Sequence, residues 1–168
     1  ELANDKELVR RFRGFLDYSE DPFCNANHIP ELKIMLLGSG GVGKSALDHR
    51  FVHDEFLEEY DPTIEDRCYR RPNYIDDKPV LIDILDPSGQ CEYAALTDQW
   101  IRESHLFIFV YSINNRDTFE EIEIIIAKVD RILDGASWFG VIAGNKCDLE
   151  DKRQVPKEEG DRFAKLDM

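Results

Sequence analysis

The chain has 168 residues and carries a formal net charge of −14. That length is sufficient for one domain with a buried core, and the mixture of 42% apolar and 33% charged residues is typical of a soluble globular protein. The acidic balance argues against a nucleic-acid partner, because binding a phosphate backbone requires clustered lysine and arginine. We interpret the acid excess as a solvated surface.

Apolar runs, such as residues 106–110, are far shorter than a transmembrane helix. The four cysteines are widely spaced and form no CxxC pair, which favours a reduced, cytoplasmic environment. His49 and His53 stand four residues apart but lack an HExxH context. We therefore interpret them as neighbours on the surface of a helix rather than as a metal signature.

Residues 1–30 differ in composition from the rest of the chain. Residues 17–30 are rich in Pro, Asn, Asp and Ser and predict a linker. Before them, a short amphipathic helix is predicted by apolar residues at helical spacing with basic residues between them: Leu8, Val9, Phe12, Phe15 and Leu16. That helix could contact a partner or a membrane surface, or it could pack on the domain or fray. We divide the chain into this extension, residues 1–30, and one domain, residues 31–168.

From Leu32 onward, apolar strand patterns alternate with helical patterns. Such alternation predicts an α/β domain with a mostly parallel sheet and helices on both faces. Pro72 lies within one strand pattern and places that strand at the antiparallel edge of the sheet. Asp117 or Thr118 is the predicted N-cap of the longest helix. The predicted strands are 32–37, 69–75, 80–85, 105–113 and 139–144, and the predicted helices include 45–53 and the segment from 119 to 133.

The segment GSGGVGKS, residues 38–45, matches the phosphate-binding pattern G-x-x-x-x-G-K-[ST]. It directly follows a predicted strand and directly precedes a predicted helix, which is the context that the pattern requires. Its glycines allow the backbone to curl so that several N–H groups face a phosphate. Lys44 can reach the outer phosphates, and the Ser45 hydroxyl can ligate Mg²⁺.

A second motif, ILDPSGQ, ends a predicted strand at residues 84–90. Asp86 is placed like a carboxylate that holds Mg²⁺ through water. Gly89 can offer its N–H to the outermost phosphate, and Gln90 can orient an attacking water.

A third motif, NKCD at residues 145–148, follows the last predicted strand and distinguishes guanine from adenine. Asp148 can accept hydrogen bonds from the guanine N1–H and 2-amino group, a donor pair that adenine lacks. Asn145 can bond the 6-oxygen side of the base, and the Lys146 stem can lie over its plane.

Together these segments resemble Ras-type small GTPases, from about Leu32 to the end of the chain. The motifs that carry the resemblance are GSGGVGKSAL (38–47), EEYDPTIED (58–66), DILDPSGQ (83–90), SINNRDTFEEI (112–122) and GNKCDL (144–149). The resemblance implies the fold of a P-loop NTPase, specifically the G domain, and a switch that hydrolyses GTP to GDP with Mg²⁺. It further implies that Thr63 closes on Mg²⁺ and the γ-phosphate, that Tyr60 covers the phosphates, and that Phe56 packs edge-on against guanine.

The motifs and the resemblance together assign the site residues. Nucleotide binding is assigned to Gly40, Gly41, Val42, Gly43, Lys44, Ser45, Ala46, Phe56, Tyr60, Asn145, Lys146 and Asp148. Metal binding is assigned to Ser45, Thr63 and Asp86, and catalysis to Lys44, Thr63, Gly89 and Gln90. At Gly40, any side chain is expected to crowd the catalytic glutamine.

The resemblance also implies partners: an exchange factor, a GTPase-activating protein and an effector. They are expected to bind through the switch segments 58–66 and 89–100. Membrane attachment, at the cytoplasmic face of the plasma membrane, is expected only if a further C-terminal segment is lipidated.

Three departures from the family pattern stand out. Pro87-Ser88 occupies the position where Thr-Ala is usual, and proline fixes φ and removes an N–H beside a loop that must move. Residues 67–74 include one residue more than is usual. The sequence stops at Met168, before the family's last strand, base-backing loop and last helix, so we expect a fragment or a naturally truncated protein.

These departures keep an alternative open. A degenerate GTPase could hold nucleotide, or none, and act only as a protein-binding module. An ATPase is disfavoured by the NKCD motif.

Overall fold

A computed structural model describes residues 29–56, 67–75, 77–87 and 94–166 of the chain. The strands are β1 (Glu31–Leu37), β2 (Arg67–Ile75), β3 (Lys78–Asp86), β4 (Leu106–Ser112) and β5 (Phe139–Asn145). The helices are α1 (Lys44–His53), α2 (Ala94–Glu103), α3 (Arg116–Leu133) and α4 (Lys157–Leu166), with a 3-10 segment at Cys147–Lys152.

The strands form one sheet in the order β2-β3-β1-β4-β5. β1 lies in the middle and pairs in parallel with β3 and β4, so that Ile34 lies opposite Ile84 on one side and Leu106 on the other. β5 continues the parallel pairing beyond β4. Only β2, within the described sheet, runs antiparallel to its neighbour. The prediction of a mostly parallel α/β sheet is confirmed.

Pro72 lies in the edge strand β2, as predicted, opposite Leu81 of β3. Proline is tolerated at such an edge because its missing N–H can fall on the unpaired side of the strand. The hairpin between β2 and β3 is tight, since Ile75 pairs with Lys78, and Asp77 adopts a left-handed backbone with φ of 64°.

Helices cover both faces of the sheet. Consecutive strand residues point to opposite faces, and in β1 both Ile34 and Met35 are buried. The Ile34 face packs against Phe51 of α1. The Met35 face packs against α2 and α3 through Ile101 and Ile122. Because both faces of the sheet are buried at these strands, the sequences of β1 and β4 are continuous apolar runs.

The predicted cap of α3 is wrong. Asn115, in an extended conformation, is the N-cap, and its side-chain oxygen accepts a hydrogen bond from the Asp117 N–H at 3.1 Å. Thr118 is buried instead, and its hydroxyl accepts from Ser112 N at 3.0 Å and donates to Asn115 O at 2.7 Å. The helix therefore begins at Arg116, before the residues that we expected to cap it.

Several predictions fall outside the described residues. They are the amphipathic helix and linker before Ile29, the segment 57–66, and residues 88–93. Of the second predicted switch segment, the structure describes the part that forms the start of α2. None of the described helices is long and apolar enough to cross a membrane. Cys68 and Cys147 are free thiols.

Candidate functional site

The glycine-rich loop connects the end of β1 to the start of α1. Gly43, the last loop residue, has a φ of +100°, and a Cβ there would lie 2.3 Å from the Asn145 Nδ2 atom. Gly43 occupies the N-cap position of α1 without a side-chain cap, and the first N–H groups of an α-helix have no partner within the helix. The N-terminus of a helix favours an anion because its N–H groups and the positive end of the helix dipole face the ligand, which fits a phosphate.

Lys44 folds back over this loop. Its ammonium donates to the carbonyl oxygens of Gly38 at 2.8 Å and Ser39 at 3.0 Å, and the side chain is buried. Burial lowers the pKa of Lys44, and the nearby Asp86 carboxylate opposes that shift. The loop thus holds a cation at its own mouth, close to where an anionic ligand would lie.

Ser45 and Asp86 bring two oxygen atoms together beside the loop. The Ser45 Oγ atom donates to the Asp86 Oδ2 atom at 2.5 Å, and Asp86 is fully buried at the end of β3. The chain reaches Ser45 through the loop after β1, and Asp86 ends β3. Because β1 and β3 pair in parallel, the ends of these two strands lie side by side. Hydroxyl and carboxylate oxygens are ligands that Mg²⁺ accepts. The pair therefore fits a Mg²⁺ ion next to a bound phosphate.

The NKCD motif is attached to the same loop. Asn145 Nδ2 donates to Val42 O at 2.9 Å, and Lys146 Nζ donates to Gly41 O at 2.7 Å. Lys146 adopts a left-handed backbone with φ of 65°, which turns the chain from β5 into the 3-10 segment. Asp148 is exposed in that segment.

The remaining predicted residues divide into two groups. Gly40 is exposed in the loop, Ala46 is half-buried in the first turn of α1, and Phe56 is 68% exposed three residues beyond the helix. The other group lies outside the described residues: Tyr60, Thr63, Gly89 and Gln90. Their roles stay predictions.

Comparison with known proteins agrees with this arrangement. The Ras family model matches residues 33–167, most of the chain. The Ras-like protein rasB of Dictyostelium discoideum is 46% identical over 135 residues, which cover 80% of this chain and 68% of that relative. This chain belongs to the Ras family. Ras-like protein 1 of Saccharomyces cerevisiae is 46% identical over 141 residues, 84% of this chain but only 45% of that relative.

Membership of the Ras family makes the chain a small GTPase. Proteins of this family bind guanine nucleotide with Mg²⁺ and act as switches. The chain spans about two thirds of one relative and less than half of the other. Family membership therefore establishes the general activity.

One contact of the Ras-family loop was missed by sequence reasoning. The Ser39 hydroxyl donates to the Glu121 carboxylate on α3, while the Ser39 carbonyl accepts from Lys44 Nζ. Ser39 and Glu121 are 82 residues apart, so no local pattern could pair them. Helix α3 is thereby connected to the residue that is predicted to bind the outer phosphates.

A polar pocket of about 440 Å³ adjoins the loop on the side of α3. It is lined by the loop glycines, by the residues around the N-terminus of α3, and by side chains from the region after β5: Gly40, Gly41, Ser112, Asn114, Asn115, Asp117, Thr118, Lys146 and Gln154. Gln154 accepts from the Arg116 N–H at 3.0 Å, so it satisfies a donor at the start of α3. The pocket borders the loop and the NKCD motif and belongs to the same site.

Proposed function

We propose that this Ras-family chain hydrolyses GTP to GDP and serves as a guanine-nucleotide switch in signal transduction. One observation carries the proposal: the carboxyl ends of β1, β3 and β5 bring together the glycine loop, the Ser45–Asp86 oxygen pair and the NKCD motif. Ligands of open α/β sheets bind at this edge.

The described residues supply the binding of the phosphates. The N–H groups of the loop and of the α1 N-terminus would bind the phosphate oxygens, and the Lys44 ammonium would stabilise the charge of the transferred phosphoryl group. Ser45 and Asp86 would hold the Mg²⁺ ion. When bound there, Mg²⁺ would help to neutralise the charge that develops on the transferred phosphoryl group.

Hydrolysis requires residues beyond the described site. Gln90 is expected to orient the attacking water, and the Gly89 N–H is expected to bind the γ-phosphate. Thr63 would add a ligand to the metal in the GTP state. Each of these groups acts by position rather than by covalent chemistry, so the rate is sensitive to small changes of the loop.

Guanine selection is assigned to the NKCD motif. The Asp148 carboxylate would accept from the guanine N1–H and 2-amino group. Asn145 already donates one hydrogen bond to Val42 O, which holds the amide against the loop. Phe56, exposed beyond α1, would gain contact area by packing edge-on against the base.

A base-exchange experiment tests guanine recognition. Asp148→Asn should shift preference from guanine towards xanthine, because an amide can donate to the 2-oxo group of xanthine whereas a carboxylate cannot. Competition between GTP and XTP for a fluorescent analogue measures the shift. Asp151→Asn, in the same 3-10 segment, is the matched control and should leave the preference unchanged. A persistent preference for GTP in Asp148→Asn would show that Asp148 does not determine which base is bound.

A second candidate, the degenerate GTPase that binds without hydrolysing, is favoured by Pro87. Pro87 is buried directly after Asp86 and lacks the N–H and the φ freedom of other residues. Single-turnover hydrolysis of pre-loaded GTP separates the candidates. We expect slow but measurable hydrolysis that increases in the double variant Pro87→Thr with Ser88→Ala. Bound GTP that stays intact in the native chain would support the binding module.

We also propose a domain division, a set of partner proteins and a location for the chain. Residues 31–168 would form the GTPase unit, with residues 1–30 as an extension. An exchange factor, an activating protein and an effector would bind through residues 58–66 and 89–100, and the chain would act in the cytoplasm. Family membership supports such regulators and effectors in general.

A further inference from the structure

The C-terminal end of α1 carries two histidines on one face. His49 and His53 are separated by one helical turn, and their ring centroids lie 4.5 Å apart with an angle of 40° between the planes. His53 is exposed and His49 is half-buried. Imidazole is the commonest metal ligand in proteins, and a pair at this spacing can chelate a single ion.

The distance between the rings suits a shared ion. A metal ion lies about 2.0–2.1 Å from an imidazole nitrogen that binds it. When two rings bind the same ion, this distance and the size of the rings keep the two ring centroids within about 6.5 Å of each other. The observed 4.5 Å lies within that limit. His53 also packs edge-on against Tyr69 of β2, with 6.0 Å between centroids, and this contact orients its ring.

The hydrogen bond of His49 prepares its other nitrogen for a metal. The His49 Nδ1 atom lies 3.1 Å from the Glu55 carbonyl oxygen. A carbonyl oxygen can only accept, so Nδ1 carries the proton and the neutral ring presents a lone pair at Nε2. Metal-binding histidines typically donate their second ring N–H to a carbonyl or carboxylate in this way.

The electrostatic surroundings also favour a cation. The last turn of α1 presents the negative end of the helix dipole. Asp54 and Glu55 follow directly, and both are exposed. Arg71 of β2 donates to the Phe51 and Val52 carbonyls of this turn. The other cation of the turn, Arg50, is paired with Asp54, with 3.2 Å between Nη2 and Oδ1. Its charge is thus partly neutralised beside the two histidines.

We propose that His49 and His53 bind one divalent transition-metal ion, with His49 acting through Nε2. No group of three or more His, Cys, Asp and Glu side chains suited to a metal occurs in the described part of the chain. The ion would therefore take two protein ligands and complete its coordination with water. This site lies at the opposite end of α1 from Ser45, about 12 Å along a helix that rises about 1.5 Å per residue. It does not rest on the proposed GTPase activity.

Ni²⁺ is the probe for this site, because imidazole suits it and Mg²⁺ does not compete for nitrogen ligands. The full chain is loaded with GDP and excess Mg²⁺ and titrated with NiSO₄ by calorimetry at pH 8. We expect one ion per chain. His49→Asn and His53→Asn should each weaken binding at least about tenfold, because each removes one of the two ligands.

A relocated histidine tests the geometry. His53→Asn combined with Asp54→His keeps the number of histidines but moves the second ring to the residue after the helix, where the backbone is left-handed with φ of 59°. The second ring then leaves the helix face that His49 and His53 share. This variant should bind Ni²⁺ no better than His53→Asn alone. Thermal melting of each variant checks that the fold is intact, and GDP content measured after denaturation checks the nucleotide site separately.

Nuclear magnetic resonance gives an independent readout. Paramagnetic Ni²⁺ should broaden the ring signals of His49 and His53 at substoichiometric concentrations, while those of His105, at the start of β4, stay sharp. Undiminished binding in both single variants, equal binding by the relocated pair, or broadening centred elsewhere would each overturn the proposal. So would the absence of binding up to a Kd of about 1 mM.

Discussion

The two ends of helix α1 are built in different ways. Its N-terminal end is held by residues distant in sequence: Ser45 contacts Asp86, 41 residues away, and Val42 contacts Asn145, 103 residues away. Its C-terminal end combines local contacts, the pair of His49 with His53 and the bond from His49 to Glu55, with contacts from the single edge strand β2.

This difference indicates which end responds to distant changes. The N-terminal end becomes a binding site only after three strands have paired, because its partners lie at the ends of β3 and β5. The C-terminal end takes its geometry from the helical repeat, which places residues four apart on one face. Changes at the ends of β3 and β5 should therefore affect nucleotide binding much more than they affect the histidine pair.

The largest effect is expected from Lys44→Met, which removes the cation at the mouth of the loop. A lost hydrogen bond between a charged donor and a phosphate is worth about 1.5–3 kcal/mol, so affinity for GTP should decrease by about 10- to 150-fold. Titration with a fluorescent GTP analogue measures the loss. Lys152→Met, at an exposed position of the 3-10 segment, should behave as wild type. An affinity for Lys44→Met within twofold of wild type would contradict the role of Lys44.

A smaller but still large effect is expected from Gly43→Ala, compared with Gly40→Ala. At Gly43, a Cβ would meet the Asn145 amide and strain a backbone with φ of +100°, whereas at Gly40 none of the described residues lies within 4 Å. We expect Gly43→Ala to weaken GDP binding by about 5- to 150-fold, because strain of this kind costs about 1–3 kcal/mol. Gly40→Ala should retain GDP affinity. Equal affinities in the two variants would show that the Gly43–Asn145 approach does not shape the loop.

A few-fold effect is expected from the contact between Ser39 and Glu121. Ser39→Ala and Glu121→Gln should each accelerate GDP dissociation, since the loop carbonyl that holds Lys44 belongs to Ser39. A double-mutant cycle should give a coupling of about 0.5–1 kcal/mol, typical of an exposed charged contact. Glu120→Gln, on the neighbouring position of α3, is the matched control. Additive single effects would indicate that the two side chains do not act together.

The smallest effect on nucleotide binding is expected from Arg71→Ala, at the other end of α1. Arg71 donates to the Phe51 and Val52 carbonyls in the last turn, and its guanidinium lies 5.6 Å from the centroid of the Phe51 ring. The variant should lose no more than about 1 kcal/mol of stability in urea denaturation. GDP affinity should not change, and Arg131→Ala on α3 should change neither quantity. A loss of GDP affinity in Arg71→Ala would show that the two ends of the helix are coupled.

Local sequence patterns were sufficient to predict the sheet and the loop. Apolar runs such as 32–37 and 106–110 are continuous because both faces of these strands are buried, and the structure places β1 and β4 there. Pro72 predicted an edge strand because proline cannot donate to an inner ladder. The glycine loop was recognisable because its residue types and spacing are dictated by local backbone geometry.

Local reasoning was insufficient where several residues competed for one role. Asn115, Asp117 and Thr118 are all residue types that can cap a helix. The Ser112 N–H of β4 donates a hydrogen bond to the Thr118 hydroxyl, so Thr118 does not cap α3. No periodicity in the sequence carries that information, since it depends on where a strand ends relative to the next helix.

Residue types and short spacings along the chain establish the chemistry of the site: a loop that can bind phosphate, an acidic residue at a strand end, and a motif suited to guanine. The tertiary structure decided how these parts are held together, through Ser45 with Asp86, Val42 with Asn145 and Ser39 with Glu121. Side-chain types and short spacings are properties of the local sequence. Contacts across 41 to 103 residues exist only after the parallel strands have paired, because pairing brings the ends of the strands to one edge of the sheet.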